Sequence, residues 1–432
     1  MSGVRPGTRH YTVVCSSCET RYEDDGLLLD CSRRHEPAFL RTEYDGSGTR
    51  SGESHGLFRH ASLLPVVRVF PETPGPVVHP AERLGRRIGL DRLWIAFNGY
   101  WPERGAQLPT CTFKDLEAYT VLGRLPADPP VLVIPSAGNT AAAFAWAATC
   151  HQVPCLLVVP APAMERMRFP APLAPHVRIV VLDGTATYSD AIAAADLISA
   201  LPGHHAEGGA RNVGRRDGLG TVMLAAADAL GGLPETYVQA VGSGTGAIGC
   251  HEAARRLRSD GEILPRLLMC QNAPFAPLHE AWRSAGPAPA DREHEPLARE
   301  LTNRRPPFTV RGGVRDVLTE SGGDVLCTDN LAALDAMALF EEVEGIDIEP
   351  GAGVALAALA QAARDGRVRR DELVLLNITG GGRARQARDL ALIPAQPWLQ
   401  VPWPGRETGP RAVAELVAER SAGLATASEA AR

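Results

Sequence analysis

Short apolar runs alternate with stretches of helical composition from about residue 85 to residue 400. Each run is followed by turn residues, and the clearest runs cover residues 131–135, 155–159, 177–182, 237–241, 267–271 and 373–377. Runs without polar alternation are typical of strands buried on both faces, as in parallel sheets that are covered by helices. The pattern therefore predicts an α/β fold of two sheets with a cleft between them.

The first sixty residues have a different, more polar pattern. Cys15 and Cys18 are followed by Cys31 and His35, a spacing similar to that of a small zinc ribbon. Arg34 stands where a regular ribbon would have its last thiol. The sequence leaves two interpretations open, a zinc site and a degenerate ribbon that has lost its metal.

These differences predict four segments. Residues 1–58 form the ribbon-like start and a linker, in which the Gly/Ser-rich stretch 46–56 is a flexible connection or an active-site flap. Residues 59–118 and 236–410 form the larger α/β domain, and residues 119–235 form the smaller one. Residues 411–432 are predicted to be a separate amphipathic helical tail.

Charge and hydropathy exclude two classes of partner. Forty-four basic and 50 acidic side chains give a net charge of −6, so the chain lacks the basic field that grips nucleic acid or an anionic membrane. No apolar run reaches the length of a membrane span, and the first residues lack the apolar core of a signal peptide. We therefore expect a cytoplasmic protein, in which the nine cysteines are ligands or packed thiols rather than disulfides.

Lys114 is the single lysine among 44 basic residues, and the other 43 are arginines. A guanidinium neither loses its proton in a protein nor forms a Schiff base, whereas a lysine amine does both. Lys114 lies in a stretch predicted to open a helix, where the positive end of the helix dipole disfavours an ammonium. Pyridoxal phosphate enzymes require such an amine as cofactor anchor and as base.

A glycine-rich loop offers a cradle for one phosphate group. Gly242, Ser243, Gly244, Thr245 and Gly246 lie between a predicted strand and a predicted helix, where backbone N–H groups and the helix dipole favour a phosphate monoester. The loop lacks the lysine and the length of a P-loop, and it departs from the G-x-G-x-x-G spacing of dinucleotide sites. Together with one lysine, it points to pyridoxal phosphate.

Two further turns follow predicted strands. In the first, Ser136, Ala137, Gly138 and Thr140 are candidates to bind a substrate carboxylate, and the Asn139 amide is a candidate to donate to the cofactor's 3′-oxygen. In the second, the Thr379 hydroxyl is a candidate partner of the pyridine nitrogen, and a neutral partner favours elimination and replacement over transamination. Ordinary capping at a strand end also explains both turns, and the sequence leaves that alternative open.

The chain resembles the tryptophan-synthase-β-like pyridoxal phosphate enzymes of fold type II, within them the threonine synthases, and most closely the cysteate synthase branch. The resemblance runs from about Tyr11 to Gln400, and it is carried by residues 97–103, 111–118, 212–221 and 271–275. Typical threonine synthases have Lys-Asp-Arg-Gly at the cofactor lysine, whereas Leu116 and Glu117 stand here in place of Arg-Gly.

The resemblance implies a β-replacement in which an amino-acid phosphate ester, O-phospho-L-serine, reacts with an anionic nucleophile, sulfite, to give L-cysteate and phosphate. It also implies a homodimer and a place in amino-acid or coenzyme M biosynthesis. Asn212, Arg215 and Arg216 are expected in a loop that binds the leaving phosphate or the sulfonate, since guanidinium groups suit tetrahedral anions. Asn272 is a lesser candidate for the substrate.

Several alternatives stay open at this point. Within the same chemistry, the substrate can be O-phosphohomoserine, as in threonine synthase, or the nucleophile can be sulfide or an amine. Outside it, the chain can be a non-catalytic zinc-ribbon protein or a scaffold that has lost its cofactor. The low aromatic content of 5% and the negative charge disfavour a nucleic-acid-binding ribbon.

Overall fold

The structure, a computed structural model, describes residues 9–45, 56–259, 261–283 and 295–430. Within these ranges the strands are β1 (Tyr11–Cys15), β2 (Arg21–Tyr22), β3 (Leu40–Tyr44), β4 (Val77–Pro80), β5 (Leu93–Phe97), β6 (Tyr100–Trp101), β7 (Ala106–Gln107), β8 (Val131–Pro135), β9 (Cys155–Pro160), β10 (Arg168–Phe169), β11 (Val177–Leu182), β12 (His204–Ala206), β13 (Thr236–Ala240), β14 (Arg266–Asn272), β15 (Asp324–Thr328), β16 (Val374–Ile378), β17 (Ile393–Pro394) and β18 (Leu399–Val401).

The α-helices in the same ranges are α1 (Glu82–Ile88), α2 (Lys114–Arg124), α3 (Asn139–His151), α4 (Tyr188–Ser199), α5 (Val213–Leu230), α6 (Thr245–Leu257), α7 (Pro277–Arg283), α8 (Val314–Ser321), α9 (Asn330–Glu344), α10 (Pro350–Arg364), α11 (Arg383–Asp389) and α12 (Gly409–Ala430). Short 3₁₀ helices occupy Gly56–Leu63, Pro102–Arg104, Ala161–Arg166, Gly209–Arg211 and Arg299–Leu301. The stretch predicted as a flexible linker lies outside the described residues, except for Gly56.

The chain divides into two compact units. The larger one contains the chain up to Arg124 together with Ala210–Asp389, and the smaller one contains Leu125–Gly209 and the chain from Leu390 onward. Each unit has its own sheet, and the α/β fold with two parallel sheets is confirmed. The predicted cleft between the sheets stays a prediction.

The larger unit is built on a six-stranded sheet of order β15-β14-β13-β16-β5-β4, in which β4 alone is antiparallel to its neighbour. Its strands carry buried apolar side chains such as Val238 and Leu376, which pack with Phe340 of α9 and Leu356 of α10. Because β13 and β16 are adjacent and parallel, the segments that follow them leave the sheet at the same edge.

The smaller unit is built on a parallel five-stranded sheet of order β12-β8-β9-β11-β18. One face of this sheet packs against α4 and α12, where Ile198, Val413 and Val417 are fully buried. The tail predicted as a separate segment is therefore part of this core, since α12 begins at Gly409 and its apolar side chains cover the sheet.

Two further elements lie in a different unit from the domain predicted for them. Val213–Leu230, predicted in the smaller domain, belongs to the larger unit, because α5 packs against α2 and α6. Leu399–Val401, predicted in the larger domain, extends the smaller sheet by pairing with β11. Both differences come from packing between segments that are distant in sequence.

The ribbon-like start forms an antiparallel sheet of order β2-β1-β3 in the larger unit. Its small core contains Tyr11, Val13 and Leu40, which pack against Val213 of α5. None of the helices in the described ranges is both long and apolar enough to cross a bilayer.

Candidate active site

Helix α2 begins at Lys114, so the predicted position of the lysine in a first helical turn is confirmed. The turn before the helix is fixed by Asp115, a buried residue whose carboxylate accepts hydrogen bonds from the Thr110 backbone N–H and hydroxyl, both at 2.9 Å. The Thr112 hydroxyl lies 3.4 Å from the Lys114 backbone nitrogen. These local bonds fix the backbone turn from which α2 begins.

The Lys114 side chain is paired with a buried carboxylate. Its Nζ lies 3.2 Å from Oε2 of Glu117, and Oε1 of the same carboxylate is 2.9 Å from Nη1 of Arg215. The Glu117 side chain has no exposed surface, while that of Lys114 is 23% exposed. The Glu117 carboxylate, a partner that the sequence did not assign to Lys114, therefore lies beside the amine together with the N-terminus of α2. The acidic residue three positions after Lys114 was the available signal, since residues at that spacing share one helix face.

The glycine-rich loop joins β13 to α6, as predicted. Gly244 has a φ of 80° and is the N-cap of the helix, which begins at Thr245, and the Thr245 backbone nitrogen lies 3.4 Å from the Ser243 hydroxyl oxygen. The hydroxyl oxygens of Ser243 and Thr245 lie 2.6 Å apart. The loop therefore presents two hydroxyls and the N-terminus of a 13-residue helix, a donor set that suits a phosphate group.

Phe113, the residue before Lys114, contacts two of the predicted cofactor segments. Its backbone N–H donates to the Thr379 carbonyl at 2.9 Å, and its ring lies so close to Gly246 that a Cβ there would stand 2.9 Å from Cε2. Thr379 directly follows β16 and is half-buried. The structure thus brings together the lysine segment, the glycine-rich loop and the strand-end threonine, which are more than 250 residues apart at their extremes.

Pyridoxal phosphate fits this group of residues. The larger unit supplies an amine at Lys114, a loop without bulk for a phosphate and a hydroxyl after the neighbouring strand. A Cβ at Gly244 would lie 2.7 Å from Val314 Cγ2, and a Cβ at Gly246 would lie 2.7 Å from Gln239 Nε2. These two positions of the loop therefore have room only for glycine. These are the residues that would hold the cofactor.

The predicted carboxylate-binding turn lies in the smaller unit, between β8 and α3. The buried Ser136 hydroxyl oxygen accepts hydrogen bonds from the backbone of Gly138 at 3.1 Å and Ala141 at 3.0 Å. Asn139 is the first residue of α3, and Gly138 precedes it with a φ of 151°. The strand-to-helix turn is confirmed, while the roles of Ser136, Ala137, Gly138, Asn139 and Thr140 stay predictions.

The loop predicted for Asn212, Arg215 and Arg216 is instead the start of helix α5, and their anion-binding role stays a prediction. Asn212 is the N-cap, and its side-chain oxygen accepts hydrogen bonds from Gly214 N and Arg124 Nη1, both at 2.9 Å. Arg216 is fully buried and donates to the carbonyls of Leu40 and Ala210. The Arg216 guanidinium has no exposed surface, and its hydrogen bond to the Leu40 carbonyl ties α5 to the ribbon-like sheet.

Asn272 also has a structural role. It is 1% exposed, and its Nδ2 donates to the carbonyl of Thr328 at 3.2 Å and to Asn330 Oδ1 at 3.1 Å. Its Oδ1 accepts from the Ala298 backbone at 2.9 Å. These protein groups hold the amide in place, and the predicted contact between Asn272 and the substrate stays a prediction.

The four predicted metal ligands meet in space. The ligand atoms of Cys15, Cys18, Cys31 and His35 all lie within 4.8 Å of one another. Cys15 is buried at the end of β1, and the other three lie toward the surface. The predicted spacing motif therefore corresponds to one cluster.

The buried Asp115 carboxyl group should make the free energy of unfolding depend on pH. Burial raises the pKa of this carboxyl to about 7, although the hydrogen bonds from Thr110 oppose the shift. The folded protein keeps this proton up to about pH 7, whereas an unfolded aspartic acid loses it near pH 4. Stability from Asp115 is therefore present at low pH and is lost as the pH rises from about 4 to 7.

We expect Asp115→Asn to remove this dependence, because asparagine has the same shape and can accept from the Thr110 N–H while donating to its hydroxyl. Urea unfolding of both proteins at pH 5 and pH 8 measures it. Between pH 5 and pH 8, the free energy of unfolding of the wild type should fall by about 1–3 kcal/mol more than that of the variant. Equal losses in the two proteins would contradict the expectation.

Comparison with known proteins supports the geometry. A family model described as "Pyridoxal-phosphate dependent enzyme" matches residues 76–380. The cysteate synthase of Methanoculleus marisnigri is 43% identical to the chain over 404 residues, which cover 90% of this chain and 93% of that protein. The cysteate synthase of Methanosarcina barkeri is 40% identical over 401 residues, covering 90% and 96%.

Among solved structures, maize serine racemase is similar in fold, with a TM-score of 0.57 and 17% sequence identity over 72% of this chain and 90% of that one. Identity this low supports the shared fold alone. The family model matches most of the chain, and the alignments with the two relatives cover nine tenths of it. Both similarities are therefore much longer than a single shared motif. The chain therefore belongs to the pyridoxal-phosphate dependent enzymes and, within them, to the cysteate synthase family.

Proposed function

We propose that this enzyme replaces the phosphate of O-phospho-L-serine with sulfite to give L-cysteate and inorganic phosphate. The observation that carries the proposal is the position of Lys114, whose neighbour Phe113 contacts both the glycine-rich loop and Thr379. The relatives are named cysteate synthases, which supports this reaction. Membership of an enzyme family argues against a non-catalytic zinc-ribbon protein and against a scaffold without cofactor.

The bonds balance in a β-replacement. The Cβ–O bond breaks and phosphate leaves with the bonding electron pair, and the sulfur lone pair of sulfite forms the Cβ–S bond. The proton taken from Cα is returned to Cα, so neither an oxidant nor a reductant is required. The same substrate amino group is present before and after the reaction.

When bound, pyridoxal phosphate supplies an aldehyde that condenses with amines and a conjugated ring that accepts electron density from Cα. Lys114 is the residue that would hold the aldehyde, and its amine would serve as the base that takes the Cα proton and later returns it. Glu117 holds that amine at 3.2 Å, and Arg215 in turn holds Glu117, so the amine is confined to a small region.

The cofactor phosphate is assigned to Gly242, Ser243, Gly244, Thr245 and Gly246, because the α6 N-terminus and two hydroxyls converge there. Thr379 is assigned to the pyridine nitrogen. As a neutral hydroxyl, it would leave that nitrogen without a full positive charge, and this would favour replacement at Cβ over transamination.

For the substrate, we propose the turn Ser136–Thr140 as the carboxylate site and the Asn139 amide as a partner of the cofactor. Arg215 is kept as the candidate for the tetrahedral anion, since 10% of its side chain is exposed and Arg216 has no exposed surface. Both phosphate and sulfonate suit a guanidinium group, so one residue can serve the leaving group and the product.

The proposal extends to the assembly and the compartment. We expect a homodimer, which light scattering of the purified enzyme measures directly. We expect the enzyme in the cytoplasm, where a reducing environment keeps thiols free. All nine cysteines of the chain have free thiols in the structure, in keeping with that compartment.

Product analysis tests the reaction. The enzyme loaded with pyridoxal phosphate is incubated with O-phospho-L-serine alone, with sulfite or with sulfide, and in parallel with O-phosphohomoserine. We expect phosphate release that depends on sulfite, and L-cysteate identified by mass spectrometry in equal amount. Phosphate release that is independent of sulfite, product formation with sulfide alone, or turnover of O-phosphohomoserine alone would each contradict the proposal.

A further inference from the structure

The cluster Cys15, Cys18, Cys31 and His35 has the dimensions of a metal site. Sγ of Cys15 lies 3.3 Å from Nε2 of His35, and the sulfurs of Cys18 and Cys31 are 3.6 Å apart. A tetrahedral zinc ion with Zn–S bonds of about 2.3 Å places its ligand atoms roughly 3.5–3.8 Å from one another. The sulfurs are too far apart for a disulfide, whose S–S bond is about 2.05 Å, and all three thiols are free.

The backbone around the cysteines is shaped to present sulfur ligands. At the end of β1, the Cys15 N–H donates to the Thr20 carbonyl at 3.0 Å. This bond closes a tight turn that contains Cys18. The backbone N–H groups of Ser17 and Arg33 point at the sulfurs of Cys15 and Cys31, each at 3.4 Å. Such bonds stabilise negative charge on sulfur, and the thiolate is the form that binds metal.

His35 is oriented as a ligand. Its Nδ1 lies 2.6 Å from the Glu36 carbonyl oxygen, and because a carbonyl can only accept, Nδ1 must be the donor. In the neutral ring, Nε2 is then left with its lone pair, and this atom faces Cys15. A second hydrogen bond that fixes the tautomer is typical of metal-binding histidines.

We propose that Cys15, Cys18, Cys31 and His35 bind one structural zinc ion. Three sulfurs and one imidazole nitrogen in a tetrahedral arrangement are preferred by zinc over hard cations. Four protein ligands leave no open position for a substrate, so the ion stabilises the fold and takes no part in the reaction. The proposal does not depend on the proposed β-replacement.

The structure indicates what the ion stabilises. The sheet β2-β1-β3 has a core of few residues, and segments this small usually need a metal or a disulfide to stay folded. This sheet satisfies charged groups of helices α5 and α6. The Thr42 and Tyr44 hydroxyls donate to Asp217 at 2.5 and 2.7 Å, and the carbonyl of Leu40 accepts from the buried Arg216. Loss of zinc should therefore loosen β1 and β3 and expose those groups.

Metal analysis of the purified enzyme tests the site. We expect one zinc per chain after production with zinc and a thiol reductant, and thiolate-to-metal charge-transfer bands after exchange with cobalt. Cys18→Ser and His35→Ala should retain less than about a tenth of the wild-type zinc at equal protein concentration, because removal of one ligand usually costs far more than removal of an outer-shell partner, itself 10–100-fold. Cys150→Ser is the matched control, since Cys150 is an exposed thiol of the smaller unit, and it should retain full zinc.

Hydrogen exchange provides a readout on the wild-type protein. Chelation of the metal should speed exchange at the amides of β1 and β3, while the amides of β8 in the smaller unit stay unchanged. The proposal would be overturned if the protein purified with a thiol reductant contained no zinc, or if Cys18 and Cys31 stayed joined by a disulfide in the presence of that reductant. Full zinc in both ligand variants would also overturn it.

Discussion

Lys114→Ala should lower the rate of phosphate release at least about 10³-fold, since general acid–base catalysis alone contributes about 10²–10⁴-fold and the covalent anchor is lost as well. The variant should also lose the yellow colour of the cofactor on gel filtration. Borohydride reduction followed by peptide mass spectrometry should find the cofactor on Lys114 of the wild type and on no peptide of the variant.

Lys114→Arg separates covalent from electrostatic roles. Arginine keeps a positive charge beside Glu117, which lies within an ion-pair distance of the wild-type amine, but it cannot form a Schiff base. We expect this variant to fold with the melting temperature of the cofactor-free wild type and to be as inactive as Lys114→Ala. Substantial activity in either variant, or cofactor retained covalently by another residue, would contradict the assignment of Lys114.

Asp24→Ala should lower the free energy of unfolding by about 3–5 kcal/mol, the usual cost of removing one partner of a buried ion pair. Asp24 has no exposed side-chain surface, and its carboxylate binds Arg124 through two bonds of 2.8 and 2.7 Å. The Tyr11 hydroxyl also donates to it at 2.6 Å. The variant leaves the buried guanidinium of Arg124 with fewer acceptors, and Arg124 lies at the end of the helix that begins with Lys114.

Asp91→Ala is the matched control in the same unit. Asp91 pairs with Arg370 at 3.0 Å, but both side chains are largely exposed to solvent, where such a pair contributes little. Urea unfolding should distinguish Asp24→Ala clearly from the wild type and leave Asp91→Ala indistinguishable from it. Equal effects of the two substitutions would mean that burial of the Asp24–Arg124 pair does not govern its contribution.

Local patterns predicted the strands and turns closely. The apolar runs at 131–135 and 177–182 coincide with β8 and β11, and the turns after β8, β13 and β16 carry the predicted polar residues. These elements are readable because a strand covered on both faces needs an unbroken apolar run and a glycine-rich loop needs its glycines. The less regular strands β5 and β15 were not predicted as separate elements.

Roles that depend on distant partners were harder to predict. Arg215 and Arg216 are neighbours in sequence, yet Arg215 pairs with Glu117 and Arg216 is buried beneath Leu40 of the ribbon-like sheet. Adjacent helical residues point in directions about 100° apart, so which of them contacts the lysine segment depends on how α5 packs against α2. The same packing assigns α5 to the larger unit.

The sequence by itself determined the chemistry that is available to this protein. It contains one lysine, one phosphate-sized glycine loop and one Cys/His set at zinc-ligand spacing, and these are properties of residue identity and local order. Only the tertiary structure decided which groups meet. The pairing of Glu117 with Arg215, the occupation of Asn272 and Arg216 by protein groups, and the hydrogen bond from Phe113 to Thr379 all depend on contacts between segments that the chain order does not place together.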